Sequence, residues 1–322
     1  MFACSRGIRA SFLAAAALLG LAGSALGQTE LKILAPAAPG GGWDQTARSM
    51  QQALVQSGAA TSVQVTNIPG AGGTIGIAQF VNSAKGDGNQ LMVNGFVMVG
   101  AILTNKSPVS LDQTTPIARL TSEYLAIVVP TNSPLKSAKD LADAVKADPG
   151  KVTWAGGSAG GVDHIAVALF AKAAGTDPTK INYIPFSGGG EALAAIMGGK
   201  VTAGVSGYGE FEGQIKAGKL RILAVTSSKR LQDVDAPTLK EQGIDMDIAN
   251  WRSVMAGPGL TPAQRDALVK TIDTMAKSPA WQEVLKQKGW DDAYLSADEF
   301  AAFLKQEQAR VADVLKSVGL VK

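Results

Sequence analysis

Five times along this chain a short apolar run breaks off in a cluster of glycines and a helical pattern begins: PGGGWD (39–44), PGAGGTIG (69–76), GGSAGGVDH (156–164), SGGGEA (187–192) and SGYGEF (206–211). β-type runs alternating with helical patterns predict parallel sheets joined by crossover helices, which makes this an α/β protein. In such a sheet the strand-to-helix junctions fall at the carboxyl edges of the strands, where α/β proteins hold ligands. The five loops are therefore expected to line one cleft between two facing sheets.

The first runs are LKILA (31–35), SVQVTN (62–67) and NQLMVNG (89–95), with helices over 44–56 and near 74–84 between them. In the first helix Ala47, Met50 and Leu54 stand at i, i+3 and i+7, which predicts one buried stripe. A second series comprises YLAIVVP (124–130), a helix over 137–147, VTWAGG (152–157), a helix over 162–174, INYIPF (181–186), a helix near 191–198, VTAGVSG (201–207) and LRILAVTS (220–227). NWRSVMAGPG (250–259) reads as one more strand and the remainder as helical. Thr261, Pro262 and Gln264 open one of those helices, and Ser296 with Glu299 predicts a capping box before a helix over 300–318. A chain of 322 residues has room for two domains. The crossing into the second is placed near Tyr124 and the return near Trp251, so that lobe 1 comprises 28–123 and 252–322 and lobe 2 comprises 124–251.

Residues 1–27 stand apart. Arg6 and Arg9 precede an apolar stretch from Phe12 to Leu21, and Ala25-Leu26-Gly27 follows, the pattern of a secretory signal peptide cut near Gly27. The apolar run is shorter than the roughly 18 to 20 residues of a bilayer span, so the mature protein is expected free in the periplasm. Cys4, the only cysteine, lies inside the signal, which excludes disulfides and thiol chemistry from the mature chain. Loss of Arg6 and Arg9 takes the formal charge from +3 to +1, and no basic stripe points to a nucleic acid.

Glycine tolerates positive φ and lets backbone N–H groups approach a ligand with no Cβ in the way. The first turn of each following helix has unpaired N–H donors and a partial positive charge, so an anion is the natural guest. One helix end contributes roughly 0.3 to 1 kcal/mol, up to about 2 when partly buried, whereas micromolar binding needs roughly 8 kcal/mol. Several ends must act together, which suits a small carboxylate gripped from both sides. Any one of these loops alone reads as a tight turn; five of them, in a chain with 37 glycines, favour a ligand role.

Reactive chemistry is harder to assemble. GGSAG (156–160) matches G-x-S-x-G, so Ser158 is weighed as the nucleophile of an exported serine hydrolase. The only histidine, His164, lies on the helix that this same loop begins, whereas a triad in that fold takes its histidine from a distant loop. His164 has two readings: a helix-start residue with one hydrogen bond, or a donor to a bound carboxylate. One histidine beside Asp163 cannot build a metal site, MGGKVT (197–202) is no P-loop, and PGAGGTIG has Ile75 at the third glycine position of a dinucleotide fingerprint. No metal and no cofactor are expected. Asp44 is expected to serve the first turn of its helix and to pair with Arg48 at i, i+4. Trp43 either walls the pocket or packs, and Tyr208 is the better aromatic candidate because its hydroxyl can reach a polar guest.

Taken together, APGGGWDQTAR (38–48), NIPGAGGTIG (67–76), GGSAGGVDH (156–164), IPFSGGGEALAAIMGGKV (184–201), AGKLRILAVTSSKR (217–230) and PTLKEQGIDMDIANWRSVMAGPG (237–259) resemble the substrate-binding receptors of tripartite tricarboxylate transporters, the Bug receptors, and within them the tricarboxylate-binding branch. The resemblance covers essentially the whole mature chain. It implies a type II periplasmic binding-protein fold, two α/β lobes around a ligand cleft, and no enzymatic activity. It further implies a ligand held largely by backbone amides and waters rather than by an arginine clamp. Carried over, the opposed loops are Gly40, Gly41, Gly42 and Trp43 on the first lobe and Gly157, Ser158, Ala159 and Gly160 on the second. Ser187, Gly188, Ser206 and Tyr208 complete the second wall, and Asn94 completes the first. The implied partners are a small organic di- or tricarboxylate, citrate leading, and the membrane permease subunits of the transporter. A sensory binding module with a signalling partner is the remaining alternative. A monomer is expected.

Overall fold

The structure, a computed structural model, describes residues 30–186 and 189–322. The signal segment and its cleavage point, together with Ser187 and Gly188, lie outside the described residues.

β1 (Glu30–Ala35) lies between β2 (Ser62–Asn67) and β3 (Gln90–Gly95), parallel to both, and α1 (Gly42–Gln56) and α2 (Thr74–Ser83) make the crossovers. Ala47, Met50 and Leu54, the expected stripe of α1, are fully buried. The second half repeats the design. β5 (Thr153–Gly156) is parallel to β6 (Asn182–Pro185) and β7 (Ala203–Gly207), with α5 (Val162–Ala173) and α6 (Gly189–Met197) as crossovers and α4 (Ala138–Ala147) ahead of them.

Two long antiparallel strands join the halves, in addition to the parallel strands that the alternation of strand and helix implies. β9 (Ala249–Ala256) pairs with β3 on one side and with β4 (Thr115–Pro130) on the other. β4 pairs with β9 from Thr115 to Tyr124, then changes partner and pairs with β7 from Leu125 to Val128 and with β8 (Leu220–Val225) from Ala126 to Pro130. The sheet order is β2-β1-β3-β9-β4-β7-β5-β6. β4 begins nine residues before the expected 124 because its first half, TPIARLTSE, is half polar and lacks a clean period.

Two further elements depart from expectation. α3 (Phe96–Thr104) follows β3 directly, and its sequence FVMVGAILT is apolar on every face, so no helical period marks it. α7 (Tyr208–Lys216) is the helix expected at SGYGEF. The C-terminal part is not all helical: α8 (Pro262–Ala276) and α9 (Pro279–Lys288) precede β10 (Asp291–Ser296), which pairs antiparallel with β4, and α10 (Ala297–Ser317) follows. The capping box Thr261/Gln264 forms at α8. The one expected at Ser296 does not, since Ser296 is the N-cap residue but its side chain makes no capping bond. The register of β10 on β4 carries Ser296 opposite Ala118, so the strand fixes its backbone up to the helix start.

Candidate functional site

A cavity of about 760 Å³, its open mouth included, lies between the two halves and takes lining residues from all five glycine loops. Small-molecule sites span roughly 300 to 1,000 Å³. The first-lobe wall is formed by Gly41, Gly42 and Trp43 at the start of α1 and by the loop from Pro69 to Gly73. The second-lobe wall is formed by Gly157, Ser158, Asp163, Ser206 and Glu210, with Gly189. Glu123 on β4 and Asn250 and Arg252 on β9 form the floor, on the strands that connect the halves.

The helices that open onto this cavity differ at their first turns from α4, α8 and α9, although α3 and α10 also lack a side-chain cap. α1, α5 and α7 have glycine N-caps, Gly41, Gly161 and Gly207, and none has a side-chain cap. α4, α8 and α9, away from the cavity, are capped by the side chains of Ser137, Thr261 and Ser278. A first-turn N–H has no acceptor within its own helix. In α4, α8 and α9 a hydroxyl accepts from one of these groups; around the cavity that place is left to whatever the cavity holds.

The loops also spend some of their own donors. Gly41 donates to Ala38 O at 3.0 Å and Gly40 to Asp44 Oδ2 at 2.8 Å. Across the cavity Gly157 donates to Asp163 Oδ2 at 2.7 Å and Gly160 to His164 Nδ1 at 3.1 Å. These bonds hold the turns rigid. The first-turn amides beyond them, those of Gly42 and Trp43 in α1, have no acceptor within their own helix. A Cβ at Gly42 would stand 2.5 Å from Nη2 of Arg252, so a larger residue there displaces that guanidinium.

Of the residues singled out in the sequence, Gly41, Gly42, Trp43, Gly157, Ser158 and Ser206 line this cavity. Gly40, Ala159, Gly160, His164, Asn94 and Tyr208 are not among its lining residues. His164 is stacked on Tyr183, ring centroids 4.2 Å apart, accepts from Gly160, and is held neutral by burial, its pKa lowered to about 4. Asn94 is fully buried and accepts from Ser253 Oγ at 2.8 Å. Tyr208 packs in the small core of the second lobe with Phe211 and Ile215. Asp44 serves its own helix start and pairs with Arg48 at 3.0 Å.

The site is lined by four charged groups that the sequence reading did not assign to it. Glu123 and Arg252, both buried, form an ion pair, and Glu123 also accepts from Asn250 Nδ2 at 3.0 Å and Trp290 Nε1 at 3.1 Å. Asp163 and Glu210 face the cavity from the second lobe; burial pushes each carboxyl up to about 7, against the pull of the Gly157 amide on Asp163. Glu210 Oε2 accepts from Ser206 Oγ at 3.1 Å. The signal that could have found them is position: Asp163 and Glu210 stand in the first turns of helices that follow glycine loops, where their negative charge meets the positive helix end. Arg252 brings an arginine to the cavity floor, where it is paired with Glu123. Among the described residues no cluster of histidines, cysteines and carboxylates could hold a metal ion, and no helix is long and apolar enough to cross a membrane.

α3 closes one side of the cavity by bringing the lobes into contact. Its Gly100 lies so near the second-lobe loop that a Cβ would fall 2.1 Å from the carbonyl oxygen of Gly160.

The sequence model of the tripartite tricarboxylate transporter family receptor matches residues 45–320. Protein BugT of Bordetella pertussis is 30% identical over 295 residues, 90% of this chain and 89% of its own length. Among solved structures, the periplasmic binding protein BugD superposes with a TM-score of 0.81 at 27% identity, covering 91% of this chain and 98% of BugD. Rpa4515 of R. palustris, solved with adipate, superposes with a TM-score of 0.82 at 22% identity, covering 90% of this chain and 97% of its own. These neighbours share the two-lobed binding-protein fold. The family is one of receptors and not of enzymes, so the G-x-S-x-G match at Ser158 marks a glycine turn and not a hydrolase nucleophile. With its fold, its interlobe cavity and this match in hand, the chain belongs to the receptor family of the tripartite tricarboxylate transporters.

Proposed function

We propose that this receptor captures a small organic di- or tricarboxylate in the cavity between its lobes and delivers it to the membrane permease subunits of a tripartite tricarboxylate transporter. The observation that carries the reading is the set of glycine-capped helix starts at the cavity, whose first-turn N–H groups have no capping side chain. Three such ends supply at most about 6 kcal/mol, so hydrogen bonds to the guest must add the rest of the roughly 8 kcal/mol of micromolar binding. The adipate bound to Rpa4515, a dicarboxylate on the same fold, supports the class of guest. Citrate is the leading candidate, on the strength of the tricarboxylate-type motifs GGGWDQTAR and NWRSVMAGP.

The lobes are taken as 28–123 with 252–322, and 124–251, a division supported by the change of partner along β4 after Tyr124. Residues 1–27 act as an export signal cut near Gly27, and the mature protein works in the periplasm as a monomer. Closure follows from contacts that the guest makes better with both lobes together than with either alone. Thermal-shift screening of ligand-stripped protein tests the reading: at about 100 times Kd a true ligand stabilises by roughly 2.7 kcal/mol. A shift with citrate, succinate or adipate supports it, and a shift only with sugars or cations contradicts it.

A further inference from the structure

On the second lobe the glycine loops are closed over the chain's own acids. Gly157 donates to Asp163 Oδ2 at 2.7 Å, the backbone of Gly189 bonds Glu210, and a Cβ on Gly207 would stand 2.8 Å from Glu123 Oε1. All three carboxyls line the cavity. A carboxylate guest therefore meets groups of its own kind on the wall built from helix starts.

The charges of this cluster are not balanced. Arg252 faces it from β9, and its guanidinium is paired with Glu123. Lys288 lines a second opening together with Glu210, and its ammonium bonds Gln45 at 3.4 Å. Glu212, on the same helix as Glu210, is paired with Lys216 at 2.7 Å. Beside Asp163 stand Tyr183, whose hydroxyl donates to Gly157 O at 2.7 Å, and His164, held neutral by burial. Ser206 serves both acids: its hydroxyl donates to Glu210 Oε2 at 3.1 Å, and it also bonds Asp163. A hydroxyl has one hydrogen to give, so the second of these bonds is made by a proton on a carboxyl. Burial chiefly, with the charge of Glu123 adding to it, pushes both carboxyls up to about 7.

We propose that the receptor takes up protons with its guest, Asp163 and Glu210 being the groups that bind them when a carboxylate enters the cavity. This rests on the receptor reading above and adds a condition to it. Like charges sharing a site shielded from water disfavour one another, so a bound anion raises the proton affinity of the two acids. By linkage the protons strengthen the hold on the anion to the same degree. Below about pH 7 both acids already carry protons and affinity is full; as pH rises through 7, binding must reprotonate them and affinity falls.

The test is calorimetric titration of the ligand-stripped full mature chain with malate and adipate, both ionised from about pH 6.5 upward, in phosphate and in Tris, whose ionisation heats differ. The dependence of the measured heat on buffer counts the protons. At about pH 7.5 at least about half a proton enters with each guest, and affinity is about tenfold or more lower at about pH 8.5 than at about pH 6.5. Glu210→Gln and Asp163→Asn each take up fewer protons than wild type, and the double variant gives heats independent of buffer. A residue needed only for packing would leave the proton count unchanged. The wild-type count stands as a test even if the variants fail to fold. Binding without proton uptake, or uptake unchanged in both single variants, overturns the inference and leaves the receptor reading in place. Failure of malate, adipate and citrate to bind at any pH overturns both.

Discussion

Glu123 on β4 and Arg252 on β9 form a buried ion pair on the two strands that carry the chain between its lobes, and the same pair forms the floor of the cavity. Hinge and binding site thus share their charges. Arg252 also lies over the Trp290 ring at 4.9 Å, and Trp290 in turn donates to Glu123. Removing one partner of a buried pair leaves the other uncompensated, at a cost of about 3 to 5 kcal/mol. Arg252→Ala is expected to lose stability of that order in urea unfolding, and the double variant Glu123→Gln/Arg252→Met considerably less. A loss below about 1 kcal/mol for the single variant would contradict the pairing.

His164 is expected to act on stability and not on affinity. Replacing it by alanine removes the acceptor of the Gly160 amide and the ring stacked on Tyr183. A buried donor left unpaired costs about 1 to 3 kcal/mol, visible as a lower unfolding midpoint. The affinity for carboxylates should stay within about twofold, less than 0.5 kcal/mol. A large loss of affinity with little loss of stability would return His164 to the site.

The pH dependence of stability follows from Asp163 and Glu210. With pKa values near 7 in the native state, both hold protons that the unfolded chain gives up near 4, so each makes stability fall as pH rises through that window. His164, lowered to about 4, acts with the opposite sign: its contribution is present above its ordinary value of 6.5 and is lost as pH falls to about 4. Comparing wild type with Glu210→Gln cancels the histidine. Thermal melts across the window should show a shallower decline in the variant, and parallel curves would refute the assignment.

The alternation of strand and helix, the buried stripe of α1 and the meeting of the five glycine loops at one cavity were legible in the sequence. Glycine loops announce themselves because few other residues accept their backbone geometry. The elements that went unseen have a common cause. α3 is apolar on every face, and the first half of β4, paired with β9 and β10, mixes polar and apolar residues, so in neither does burial imprint a period. At the site, Arg252 and Glu123 lie 129 positions apart, and only the pairing of β9 with β4 brings them together. His164 and Tyr208 looked functional because they adjoin glycines, yet each turns into the packing behind its loop.

Gly100 offers a probe of lobe contact that leaves the ligand groups untouched. A methyl group there would press on the Gly160 carbonyl, a backbone atom that cannot rotate away. Gly100→Ala is expected to hold the lobes apart, weakening ligand binding by about tenfold, some 1.4 kcal/mol, with a larger radius in ligand-bound small-angle scattering. An unchanged affinity and radius would show that the lobes do not close along this contact.

The central claim, that a carboxylate is held by first-turn amides between the lobes, is tested most directly by calorimetric titration of ligand-stripped protein and of Gly42→Trp with citrate, malate and adipate. The indole would fill the space in front of the α1 amides and displace Arg252. The account predicts saturable one-to-one binding of at least one acid by the native protein and none by the variant. Binding that survives undiminished in Gly42→Trp would place the carboxylate elsewhere and contradict it.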